Sequence, residues 1–397
     1  MLGIWPELPI YIHDSGHRSK KARDDVDAAL RLNHRVSGIR FERKSSYRPR
    51  RDTINQLQYP FPGLTHLWVD QPFLTISQPL LGGAAPGLRD LVLIGVSSRA
   101  LPELLLSTTN LVHLQYDNIP PFGYISPKDL STCLPALTRL ESLSLTLGSP
   151  RDLPDKAFRV PPPDTRTLLP ALTYLRLQGD PEYVEDLVAQ IDSPLLESMA
   201  ITLFHFHREV LEVSELAKFV RRADKLSLVD RAQVTFGSHD ISVVLSQELL
   251  VHTVDRRTLI LQLACAERDL LLSRLVQFCA SCLPTLSPFE HLHIPVPHCY
   301  SWQSRYVIDD PDPRWLQLLQ LFNSVKDFRL SKTIALRVAK ALGGLPVERV
   351  SEVLPALEAV FISRLESFAP MKDAISEFAA ARQHSGHPVS FCNWDTA

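Results

Sequence analysis

The order apolar-x-x-apolar-x-apolar recurs along nearly the whole chain. It appears as VSGIRF from Val36, LTHLWV from Leu64, LRDLVL from Leu88, LVHLQY from Leu111, LESLSL from Leu140, LTYLRL from Leu172 and LESMAI from Leu196. It returns as FEHLHI from Phe289, VKDFRL from Val325 and LEAVFI from Leu357, and two weaker copies, ADKLSL from Ala223 and RRTLIL from Arg256, fill the gap between. From Val36 to Leu357 the spacing averages about 29 residues, far longer than the period of a helix or a strand and within the range of a stacked repeat. Each copy ends on strand-like alternation. The stretches between suit helices: DDVDAALRL (24–32), YVEDLVAQI (183–191), VSELAKFVRRA (213–223), ERDLLLSRLVQFCASCL (267–283) and RWLQLLQLF (314–322).

A strand-and-helix unit of this length predicts an α/β fold, a leucine-rich-repeat solenoid with parallel strands on the concave face and helices on the convex face. One such unit cannot bury its apolar face alone, so neighbours must stack. The expectation is a single domain over 1–397. Residues 1–35 form the first repeat, with a strand at 10–13 and a helix at 24–33, and 364–397 form a C-terminal cap. No Asn recurs at a fixed place after the strand and the helices vary in length, which predicts an irregular arc. SPRDLPDKAFRVPPPDTR (149–166) and VPHCYSWQSRYVIDDPDPR (296–314) are Pro-rich and read as loop insertions.

Alternation also assigns the faces. The fourth and sixth positions of each copy point to the core, and the third, fifth and seventh line the inner sheet. The inner rows are His66, Trp68 and Asp70; Asp90, Val92 and Ile94; His113, Gln115 and Asp117; Ser142, Ser144 and Thr146; Tyr174, Arg176 and Gln178; then His291 and His293, and Asp327 and Arg329. Large side chains with a polar handle anchor protein interfaces. The candidate partner-binding residues are therefore His66, Trp68, His113, Gln115, Tyr174, Arg176, His291, His293 and Arg329. The small rows (Ser142, Ser144, Thr146, Ser198, Ala200, Thr202) predict a trough in which a peptide could lie.

Composition narrows the function. Of 397 residues 45% are hydrophobic and 22% charged, enough for a packed core. The net charge of −2 argues against a broad nucleic-acid footprint, and the one basic run, RKSSYRPRR (43–51), reads as a solvated loop. No signal peptide and no apolar run of membrane-spanning length stands out, and six Cys are scattered without pattern. The expectation is an intracellular protein, cytoplasmic or nuclear, with no membrane partner. Gly82-Gly83 and Gly343-Gly344 lack the spacing of a phosphate loop, and no nucleophile elbow is present. CASC (279–282) reads as buried thiols. The pairs His205/His207 and His291/His293 would each need further ligands to hold a metal. The reading is of a non-enzyme with no catalytic residue, cofactor or metal.

Three segments carry a family resemblance: LPELLLSTTNLVHLQYDNIPPFGYISPKDLSTCLPALTRLESLSL, LPALTYLRLQGDPEYVEDLVAQIDSPLLESMAITLF and AISEFAAARQHSGHPVSFCNW. With the repeats between them, the chain resembles the leucine-rich F-box proteins of mushroom-forming fungi. That resemblance implies the substrate-recognition part of a Skp–cullin–F-box ubiquitin ligase subunit, in which an F-box docks the Skp adaptor and the repeats hold a protein substrate. LPELLL (101–106) opens like an F-box, but it lies between the strands at 88–93 and 111–116, where the period calls for a return helix. The start, MLGIWPELPIYIHD, reads as a repeat, so no F-box residue maps onto this chain. The expected partner is a protein on the concave face, with the Skp adaptor engaged only if an F-box is supplied. The alternative is a free-standing repeat scaffold or decoy without ligase association.

Overall fold

A tight turn precedes Leu88, Leu111, Leu140 and Leu357, and its hydrogen bonding explains why the leucines fall where they do. The first apolar residue of a copy donates its N–H three residues back: Leu88 to the Ala85 carbonyl at 3.0 Å, Leu111 to Thr108 at 3.1 Å, Leu140 to Leu137 at 3.1 Å and Leu357 to Leu354 at 3.0 Å. This turns the chain inward and buries those leucines almost completely. The next residue bonds to the neighbouring copy. Arg89 donates to Thr65, Val112 to Arg89 and Glu141 to Val112, each at 2.8 Å. Strand pairing starts directly after that bond, so turn and register are set together.

The computed structural model describes residues 8–15, 19–42, 51–76, 78–120, 123–147, 165–204, 211–227, 229–247, 257–264, 268–282, 289–296, 312–363 and 369–393. The fold is α/β, with mostly parallel strands. It comprises two compact units, Met1–Leu196 and Glu197–Ala397. Most of insertion 149–166 and of insertion 296–314 lies outside the described residues, as do His205 and His207. Among the described residues no helix is long and apolar enough to cross a membrane.

The first unit runs β1 (Ile10–Asp14), α1 (Lys20–Leu30), β2 (Val36–Phe41), α2 (Arg51–Asn55), β3 (His66–Ile76), β4 (Asp90–Ser98), α3 (Leu101–Ser107), β5 (His113–Ile119), α4 (Pro127–Cys133), β6 (Ser142–Leu147), β7 (Thr167–Leu168), β8 (Tyr174–Gly179), α5 (Pro181–Gln190) and β9 (Ile191–Asp192). Its main strands lie in the order β1-β2-β3-β4-β5-β6-β8, each parallel to the one before. β7 and β9 pair separately. A strand and a helix do open this unit near the expected 10–13 and 24–33, with α1 starting earlier than expected because the Ser19 side chain caps it, accepting from the Ala22 N–H at 3.1 Å. LPELLL forms α3 between two adjacent parallel strands, and Leu101, Leu104 and Leu105 are buried there. Core positions follow the predicted alternation: Leu67 and Val69, Leu91 and Leu93, Leu114 and Tyr116, Leu143 and Leu145, and Leu175 and Leu177 are all buried.

The second unit runs β10 (Ser198–Leu203), α6 (Ser214–Arg222), β11 (Arg231–Phe236), β12 (Asp240–Ser246), β13 (Thr258–Ala264), α7 (Arg268–Cys282), β14 (His291–Ile294), α8 (Pro313–Gln320), β15 (Asp327–Leu330), α9 (Lys332–Gly343), β16 (Ala359–Ile362), α10 (Ala369–His384) and β17 (Ser390–Asn393). Its strand order is β10-β13-β12-β11-β14-β15-β16-β17. Here the expectation of uniformly parallel strands fails. β12 pairs antiparallel with both β11 and β13, and the meander β11-β12-β13 runs backwards through the sheet. ADKLSL is not a strand either: Asp224–Ser227 form a 3-10 turn that buries Leu226. The strand lies further on, in RAQVTF, and GSHD (237–240) closes a hairpin through the Gly237 N–H to the Asp240 carbonyl at 2.9 Å. The predicted cap at 364–397 contains α10 and then a further strand, β17, paired with β16.

Candidate interaction face

Opposite the leucines, the first unit presents rows of side chains that cross its strands. Register places Gly38, His66, Asp90, His113, Ser142 and Tyr174 in one row. The next row is His13, Arg40, Trp68, Val92, Gln115, Ser144 and Arg176. His66, His113 and Arg176 are exposed, while Trp68, Gln115 and Tyr174 are half-buried. Residues some two to three dozen positions apart in sequence are thus brought side by side.

Asp90 is the hub of the first row. His66 Nε2 lies 2.9 Å from one of its carboxylate oxygens, and His113 Nε2 lies 3.8 Å from the other. The Thr65 hydroxyl sits 2.7 Å from His66 Nδ1 and orients that ring. In the second row the Arg40 guanidinium stacks over the Trp68 ring, 4.4 Å from its centroid. Its Nε donates to Glu42 at 2.7 Å, and His13 Nε2 lies 3.4 Å from the same carboxylate. The bond from Arg40 holds the Glu42 carboxyl below its usual range, with His13 adding to it against the opposing effect of burial. Asp90, Arg40 and Glu42 were not among the candidate residues. The face rule applied to VSGIRF would have found Arg40, its fifth position.

The small rows do not form an open trough in this unit. Ser144 and Thr146 are buried. Ser144 Oγ donates to Asp117 at 3.3 Å, and Thr146 Oγ1 donates to Gln178 at 3.3 Å. Gln115 Nε2 also donates to Asp117, at 2.5 Å. Short hydroxyl side chains draw longer neighbours in to satisfy them, and those neighbours cover the floor.

The face of the second unit has its own cluster. One row holds Arg231, His291, Asp327 and Ala359; the next holds Gln233, His293, Arg329 and Phe361. His291 Nδ1 lies 3.0 Å from the Asp327 carboxylate. Arg329 lies over the Phe361 ring at 5.4 Å. Phe361 was missed although it too is a fifth position. Small residues here pair across strands, Ser198 with Thr258 at 2.8 Å and Thr202 with Gln262 at 3.2 Å. On α7, Cys279 and Cys282 are fully buried, and burial pushes the Cys279 thiol well up, away from reactive thiolate. Among the described residues no group of three His, Cys, Asp or Glu could hold a metal ion.

Burial drives the pKa of His293 down to about 4, and the charge of Arg329 pushes the same way. Between that value and the ordinary histidine value of about 6.5, the unfolded chain takes a proton at this site and the folded chain does not. Folding therefore loses stability as pH falls through that window. His293→Gln should lose less stability than the parent between neutral and acid pH in urea titrations. Equal slopes for the two proteins would show that His293 does not carry this dependence.

No protein-family model matches the sequence, and no curated protein matches it.

Proposed function

We propose that the chain is a leucine-rich-repeat protein whose uncovered sheet faces bind a protein partner. The carrying observation is the pair of adjacent cross-strand rows that holds half-exposed Trp68 and Tyr174 with exposed His66, His113 and Arg176, set on strands whose opposite side is a buried leucine core. Large aromatic and guanidinium groups on a rigid support lose little freedom on binding, which is why interfaces concentrate their energy on them. Repeat arrays commonly use the strand face in this way. With the resemblance to fungal F-box proteins, the reading becomes substrate recognition for a Skp–cullin–F-box ligase, the adaptor being engaged only where an F-box is supplied. A scaffold acting without a ligase is the alternative.

Capture from native lysate, with purified Skp adaptor added in parallel, separates the two. A specific partner without adaptor binding fits a recognition module, and adaptor binding would place docking residues inside the repeats. Trp68→Ala with Tyr174→Ala should weaken capture of the partner by about tenfold or more while the melting transition stays close to that of the parent. A collapse of the fold instead would show that these side chains belong to the core.

A further inference from the structure

We infer, resting on the reading that the strand face of the first unit binds a polypeptide, that Arg40 and Glu42 are positioning residues, which hold the Trp68 indole in the orientation a partner meets. The ring's row neighbours on its two sides differ. On β4 the neighbour is Val92, short and buried. On β2 it is Arg40, whose guanidinium carbon lies over the indole, 4.4 Å from its centroid. A free Arg side chain samples many rotamers and could not fix a ring. Glu42 supplies the restraint. One oxygen of its carboxylate accepts from Arg40 Nε at 2.7 Å and lies 3.4 Å from His13 Nε2 on β1. The bond from Arg40 keeps the Glu42 carboxyl below its usual range, so the acceptor is charged at neutral pH.

A planar guanidinium can serve both neighbours at once, since its donors point outward in its plane while its face lies on the ring. An ammonium group on a similar stem is a point charge and cannot. The pairing also recurs. Arg329 and Phe361 stand at the corresponding fifth positions of two neighbouring copies in the second unit, paired in register, with the guanidinium carbon 5.4 Å from the ring centroid. What the clamp contributes is freedom lost in advance. A half-exposed side chain that is already fixed loses less on binding than one that must be immobilised then, a difference of about two- to tenfold in affinity for one large side chain. Arg40 and Glu42 therefore act through Trp68, and part of the strength of the face comes from residues that are not its aromatic anchors.

The test is fluorine NMR of the full chain labelled with fluorotryptophan, in which the Trp68 signal among the five tryptophans is the one missing from Trp68→Phe. In the parent it should be a single line, displaced from the position of a free indole. Arg40→Met should broaden that line or move it toward the free value, and Glu42→Ala should do the same by releasing Arg40. The melting transition should stay close to that of the parent in both. Arg40→Lys separates positioning from a general need for positive charge: it keeps the charge and should not restore the line. The protein captured from lysate by the parent should bind Arg40→Met about two- to tenfold more weakly. An unchanged Trp68 line in Arg40→Met, a parental line in Arg40→Lys, a melting transition lowered in both Arg40→Met and Glu42→Ala, or capture at parental strength by Arg40→Met would each overturn the inference. Those failures leave the interaction face standing where capture is still lost on Trp68→Ala; capture that survives Trp68→Ala would overturn the face and the positioning role together.

Discussion

Gly95→Val is expected to destabilise the first unit by about 3 kcal/mol or more, seen as a large fall in the urea midpoint. Two independent effects add. Gly95 has φ of +71°, a left-handed conformation that costs a non-glycine residue about 1–2 kcal/mol and a β-branched one more. Space is the second. A Cβ there would lie 2.7 Å from Pro72 Cα and 3.1 Å from Pro72 N, backbone atoms that no rotamer change can move aside. The cause is a bulge. Asp70 pairs with Ile94 and Leu74 with Val96, so three residues of β3 face the single residue Gly95 of β4. Gly95→Ala should show the same loss in smaller measure. A parental midpoint for both variants would mean that β3 and β4 do not approach this closely.

Leu143→Ala should cost about 2–5 kcal/mol as a cavity in the core. Leu143 is fully buried and stands in register between Leu114 and Leu175, both also buried. Leu175→Ala should behave alike. Because the two side chains are neighbours across β6 and β8, the double variant should depart from the sum of the single losses. Ser142→Ala, one residue away but on the other face, should change stability by less than about 0.5 kcal/mol. A neutral Leu143→Ala would reverse the assignment of faces.

The leucine register was legible because each copy places three buried positions in six residues, a pattern whose one-residue slip would put every leucine in water. LPELLL was legible as a helix for a related reason: the strands on either side left it only the return path. What escaped was local. ADKLSL carries the apolar spacing of a strand, but Leu226 reaches the core equally well from a 3-10 turn. The true signals, the two alternating runs QVTF and ISVV joined by GSHD, were hidden by expecting a strict period. On the interaction face, alternation gave the right side of the sheet for His66, Trp68 and Tyr174. It could not give Asp90 as a hub or Arg40 over Trp68, because these contacts depend on how strands far apart in sequence align. The trough failed for another reason: hydroxyls need partners, and Asp117 and Gln178 came inward to provide them.

The backward meander of the second unit bears on the order in which the chain can assemble. In the first unit every main strand pairs with its predecessor in the sheet, so the sheet can lengthen strand by strand as the polypeptide emerges. The second unit has no such route. Inside this unit β10 finds its partner only when β13 is made, with Ser198 paired to Thr258, while the hairpin β11-β12 closes locally before either of its outer neighbours exists. Such non-local closure slows folding and leaves strand edges open for longer. During synthesis the N-terminal half should become protease-resistant early, and the C-terminal half only after β13 and β14 have filled the gap on either side of the hairpin.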